Sequence, residues 1–85
     1  MAKKIRWSRQ ANEFILNNVR SLRKKSALLK VISLLSDYPE MYPKAGSRHY
    51  AGCRSITTVF PFVIIYRVKE HFVEVMAILE GRRKY

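Results

Sequence analysis

The sequence predicts a two-layer α+β domain in which an N-terminal strand, a helical hairpin and a three-stranded antiparallel meander follow one another. Three observations carry that expectation. Residues 63–68 (VIIYRV) and 72–79 (FVEVMAIL) are β-branched and aromatic runs joined by the short polar link Lys69-Glu70-His71, the pattern of a β-hairpin. Two blocks before Pro39 repeat apolar residues at helical spacing. Residues 4–7 (KIRW) put Ile5 and Trp7 on one face, which stays in water unless this strand joins the same sheet.

Taken in order, Ser8 follows the first strand as a helix N-cap, because its hydroxyl can accept an unpaired N–H of the first turn. Ala11, Phe14, Ile15, Val19 and Leu22 then form one apolar stripe, with Arg9, Asn12, Glu13, Asn17 and Arg20 largely outside it. Arg23-Lys24-Lys25-Ser26 interrupts the stripe and is expected as a tight helix–helix turn, one long helix being the alternative. Ala27, Leu28, Val31, Ile32, Leu34, Leu35 and Tyr38 make a second, broader apolar face. Pro39 ends it, since proline disfavours helical geometry at the residue before it.

Residues 39–52 hold Pro39, Pro43, Gly46 and Gly52 and are expected as a loop. The loop carries Lys44, Arg48 and His49, an unusual cargo for a plain connector. Residues 53–59 are expected as a strand that turns through Phe60-Pro61, because Pro61 has no N–H to give to a ladder. Neither strand of the following hairpin alternates cleanly, so both faces are expected to be covered, at the centre of the sheet. Gly81 breaks the last strand, and Arg82-Arg83-Lys84-Tyr85 follows as a basic cluster with a phenol.

The chain of 85 residues is expected to form one domain with one small core. No apolar run reaches the roughly 20 residues of a membrane helix and no signal peptide is visible, so no membrane partner and a cytoplasmic location are expected. Cys53 is the only cysteine, which excludes an internal disulfide and any multi-cysteine metal site. Seventeen Lys and Arg against six Asp and Glu leave a net charge of +11. Self-repulsion at that density opposes the compact state, so a polyanion or a partner rich in carboxylates is expected, ahead of mere solubilising charge.

The strand ending in Trp7-Ser8, the helical hairpin closing at Pro39, the run VIIYRV over 63–68 and ILEGRR over 78–83 together resemble the RelE/ParE superfamily of bacterial type II toxins. The likeness spans essentially the whole chain and is most specific in those last two segments. It implies a RelE/ParE-like fold, an antitoxin encoded alongside that wraps the toxin in a hetero-oligomer, and no cofactor or metal. It also implies one of two targets: mRNA in the ribosomal A site for RelE-like members, or DNA gyrase for ParE-like members.

Carried over residue by residue, Arg54 matches a basic strand position, Arg83 the arginine after the last strand, and Tyr85 the terminal tyrosine of the RNA-cutting branch. The arginine of the central hairpin strand is replaced here by Val63. FPFVIIYRV with a terminal GRR is more similar to the ParE branch, which has no such catalytic set. A gyrase poison is therefore the first expectation. An mRNA interferase is the alternative, and a non-catalytic basic nucleic-acid-binding module a further one.

If RNA is cut, Arg54 would stabilise charge on the transferring phosphate, with Arg83, Tyr85 and His49 completing the catalytic set. An outward strand arginine and an exposed loop histidine are the plain alternatives. For target binding the candidates are Arg82, Arg83, Lys84 and Arg48, against the alternative of a solvated basic tail. Tyr66 is expected as a core or interface aromatic, and Cys53 as a small strand residue.

Overall fold

The elements are explained by where each apolar face finds cover. In a computed structural model, which describes residues 2–46 and 48–81, they run β1 (Lys4–Trp7), α1 (Arg9–Asn18), α2 (Leu22–Leu34), a single 3-10 turn (Arg48–Tyr50), β2 (Arg54–Ile56), β3 (Phe62–Val68) and β4 (Phe72–Glu80). The sheet order is β1-β4-β3-β2. The last three strands are antiparallel neighbours, as expected. β1 joins β4 in parallel, Ile5 beside Val73 and Trp7 beside Val75, so the sheet as a whole is mixed rather than antiparallel. The helical crossover between β1 and the meander lets the first strand enter parallel.

Both helices lie on one face. Ala11, Ile15 and Val19, with Leu28, Ile32 and Leu35, pack against Phe62, Ile64, Tyr66, Val73, Val75 and Ile78. Phe14 meets Phe62 edge to face at 5.8 Å between centroids. The other face holds a smaller cluster of Cys53, Val63, Ile65 and Ala77, with Ala45, Tyr50, Met76 and Leu79 at its margin. β3 is thus buried on both sides over its first five residues, the central position its composition implied. The broken alternation of β4 has a second cause. Ile65 pairs with Ala77 but Tyr66 with Val75, so Met76 is an extra residue in a β-bulge. Val73, Val75 and Ile78 can then all face the helices despite their uneven spacing.

The helix break falls earlier than expected. α1 stops at Asn18, Val19 turns into extended geometry while staying buried, and Ser21 caps α2 by accepting from the Lys24 N–H at 3.3 Å. Arg23-Lys24-Lys25-Ser26 is therefore the start of a helix and not the turn, and Leu22 is not on the α1 stripe but 80% exposed. The serine cap outweighs the interrupted apolar pattern. α2 also ends sooner, at Leu34, with Leu35 to Tyr38 in successive turns and Leu34 and Tyr38 exposed. The strand expected over 53–59 shortens to Arg54–Ile56. The loop before it supplies part of its pairing instead: Ala45 N–H donates to Cys53 and Ser55 N–H to Pro43, which covers an otherwise bare sheet edge.

Candidate functional site

The strand pleat sorts the exposed side chains before any chemistry is considered. Ile5 and Trp7 face the helices, so Lys4 and Arg6 lie on the open face, level with Phe72 and Glu74 of β4. Arg6 stacks its guanidinium 4.2 Å from the Phe72 ring centroid. Arg67, paired across β3 and β4 with Glu74, donates to its carboxylate at 2.8 Å. The middle of this face is aliphatic, made by Val63, Ile65, Met76, Ala77 and Leu79. Val63 is buried in that cluster.

The residues expected to act divide by face and by end. Arg54 lies opposite Tyr66, on the side of the sheet that carries the helices. Its guanidinium donates to the Tyr42 carbonyl at 2.7 Å, in a polar cleft of about 300 Å³ that it shares with Glu40, Lys44, Gly52 and Val68. Tyr66 donates its hydroxyl to Pro39 at 2.8 Å. Burial pushes its pKa above the ordinary 10.0, with partial offset from a Tyr42 backbone hydrogen bond and the Arg54 charge. Arg54 and Tyr66 together fasten the loop after α2 to the sheet.

Arg48 and His49 are exposed on the short turn that precedes β2, with the His49 and Tyr50 rings 6.5 Å apart. Arg82, Arg83, Lys84 and Tyr85 lie outside the described residues. Their point of departure is clear. Gly81 donates to the Pro61 carbonyl, next to the Phe62–Glu80 pair. That pair is four residues along β3 from Tyr66, about 13 Å at strand rise. A side chain at Gly81 would press on the Pro61 oxygen at 2.9 Å and on Val63 at 3.2 Å, so the glycine is set by close approach rather than by the end of pairing.

Three contributors were not evident from sequence. Ser8 caps α1 as expected but also donates to the Met76 carbonyl at 2.6 Å. Gln10 both donates to and accepts from the Ile78 backbone, at 3.0 and 2.9 Å. Together they take over the edge of β4 where β1 runs out. Lys3 reaches the Lys69 and Glu70 carbonyls at 2.6 and 2.9 Å and closes the β3–β4 turn. A polar residue in a helical first turn gives no sequence signal of such a contact. A separate groove of about 460 Å³ opens between the helices, lined by Trp7, Ser8, Arg9, Asn12, Ile15 and Leu29, with Leu16 and Leu22 also in solvent. Among the described residues no cluster of His, Cys, Asp and Glu could hold a metal, and no helix is long and apolar enough to cross a membrane.

The model of the family described as "ParE toxin of type II toxin-antitoxin system, parDE" matches residues 5–85. No curated protein sequence matches significantly. Among solved structures the chain is similar in fold to the toxin–antitoxin complex RelBE2 from Mycobacterium tuberculosis, with a TM-score of 0.76, 18% identity and cover of 94% of this chain and 99% of that one. It is likewise similar to an arginine double mutant of the Escherichia coli toxin RelE in the free state, with a TM-score of 0.73, 15% identity and cover of 96% and 86%. A chromosomal ParDE system from Pseudomonas aeruginosa gives a TM-score of 0.68 at 15% identity, with cover of 93% and 96%. The chain belongs to the ParE toxin family of type II toxin–antitoxin systems.

Proposed function

We propose that this toxin arrests growth by poisoning DNA gyrase, without cutting RNA, and that an antitoxin encoded alongside holds it silent. The observation that supports this most is the aliphatic centre of the open sheet face, with Val63 buried where an RNA-cutting relative would offer an arginine. Cleaving a phosphodiester needs cations and a proton-transfer group within hydrogen-bond reach of one phosphate. Among the described candidates, Arg54 is engaged with the Tyr42 carbonyl on the helix side, and Arg48 and His49 are on the loop that precedes β2.

The antitoxin reading is supported by what the fold leaves uncovered. The interhelical groove with Trp7, Ile15 and Leu29 suits an apolar segment, and the charge of +11 suits carboxylates on it.

The mRNA-interferase reading draws on that same charge, because RNA is the stronger polyanion. In that reading Arg54, Arg83, His49 and Tyr85 carry the chemistry, while Arg82, Arg83, Lys84 and Arg48 bind the target. Induced expression separates the two. A gyrase poison induces the SOS response while protein synthesis continues, and co-expression of the adjacent small gene restores growth. Immediate loss of translation, with mRNA cut at A-site codons, overturns the gyrase reading. Nucleic-acid binding without growth arrest leaves only a basic binding module.

A further inference from the structure

Phe60 is 74% exposed, the most exposed aromatic among the exposed large hydrophobic residues of the described chain. A single exposed ring is ordinary on a protein surface; what marks this one is the backbone that holds it and the charge near it. Its surroundings hold it firmly. The Phe62 N–H closes the turn onto the Val59 carbonyl at 2.8 Å, Val59 packs against the core, and Gly81 fastens Pro61 to the end of β4. The exposed ring thus sits on a braced turn just before the start of β3.

A second feature meets it there. Arg20, Arg23, Lys24 and Lys25 crowd the turn into α2, with no acidic residue in that helix's first turn. No carboxylate among the described residues forms an ion pair with any of the four. Cations at a helix N-terminus oppose the helix dipole, so this arrangement works against α2. The cluster comes near the Phe60 turn: Lys24 Nζ is 5.9 Å from the ring centroid of Phe62, two residues from Phe60. An exposed, braced aromatic beside unpaired cations has the composition of a binding hot spot with a charged collar.

We infer that this end of the molecule, where the turn carrying exposed Phe60 meets the basic start of α2, is the surface that engages the toxin's target, and that it fits an acidic protein surface with a pocket for one aromatic ring. Charge complementarity selects the acidic partner. The exposed ring and the neighbouring exposed Leu22 select a protein over a nucleic-acid backbone, which would leave the leucine unused. The inference rests on the toxin reading but not on which target is poisoned. It separates target contact from antitoxin contact, since the interhelical groove lies at Trp7, Ile15 and Leu29.

The test compares wild-type chain with Phe60→Ala and with Arg20→Glu/Arg23→Glu, scoring growth arrest, co-purification with the product of the adjacent gene, and thermal unfolding. Phe60→Leu serves as the partial-rescue variant and stands in if the alanine variant folds poorly. Truncating a hot-spot aromatic weakens binding about thirtyfold, so both variants are expected to lose arrest at inducer levels where wild type is lethal, with antitoxin capture kept and the unfolding temperature not lowered. Full arrest by Phe60→Ala overturns the inference. So does parallel loss of antitoxin capture, which would assign the tip to the antitoxin. Equal loss of affinity for a random-sequence DNA duplex by Phe60→Ala also overturns it, in favour of a ring that wedges between bases. Loss of arrest in the variants, with wild type stopping translation and not inducing SOS, upholds the tip and overturns the gyrase reading alone.

Discussion

Tyr66 shows how a single side chain can fix a loop from inside the core. Its ring is fully buried, its hydroxyl holds Pro39, and burial raises its pKa above 10.0. A raised folded-state value favours the protonated phenol, so its contribution is complete below pH 10.0 and is lost as pH rises through the folded value. Tyr66→Phe should cost about 1 kcal/mol near neutrality by leaving the Pro39 carbonyl without its donor. It should also flatten the fall in stability above pH 10.0 relative to wild type. Parallel alkaline unfolding curves for the two proteins would refute this. Gln10 plays the corresponding part at the other edge, as a side chain that imitates a strand. Gln10→Ala should lower stability by about 1–2 kcal/mol, softened by solvent access, and should speed hydrogen exchange at the Ile78 amide above all. An unchanged Ile78 exchange rate would mean that water serves that amide as well as the glutamine does.

At the scale of elements, α2 begins against its own electrostatics. Ser21 caps it, but Arg23, Lys24 and Lys25 bring positive charge to its positive end. Arg23→Glu should therefore stabilise the fold by about 0.5 kcal/mol while weakening growth arrest, a combination that thermal melts and induction assays read side by side. Lower stability in Arg23→Glu would show that the cation is structurally useful. The same helix shows what sequence could and could not give. The hairpin of β3 and β4, the strand at Lys4–Trp7 and the Ser8 cap were legible because each rests on local chemistry. The helix break was misplaced because the basic run was louder than the serine before it. The parallel entry of β1 and the bulge at Met76 were hidden because both depend on which strands become neighbours. For the candidate residues, sequence gives their types but not their grouping in space. Arg54 shares a face with Tyr66 through strand register, and nothing local foretells that.

Across the whole molecule, a charge of +11 on 85 residues leaves a surface suited to acidic partners, while the interhelical groove and the aliphatic sheet face call for apolar ones. A complex with the antitoxin should thus depend on both. It should stay intact in 1 M salt, where the Debye length falls to about 3 Å, and gel filtration at that salt checks it. Full dissociation there would mean that charge alone holds the pair. The aliphatic centre of the open face carries the central claim, that the toxin acts on gyrase without cutting RNA. The most direct measurement incubates the purified chain with gyrase and supercoiled plasmid, traps the products with detergent and protease, and quantifies linear DNA. The account predicts linear DNA that rises with toxin and disappears when the antitoxin is added. No linear DNA at saturating toxin, together with cut mRNA from a translating ribosome in the same preparation, would contradict it.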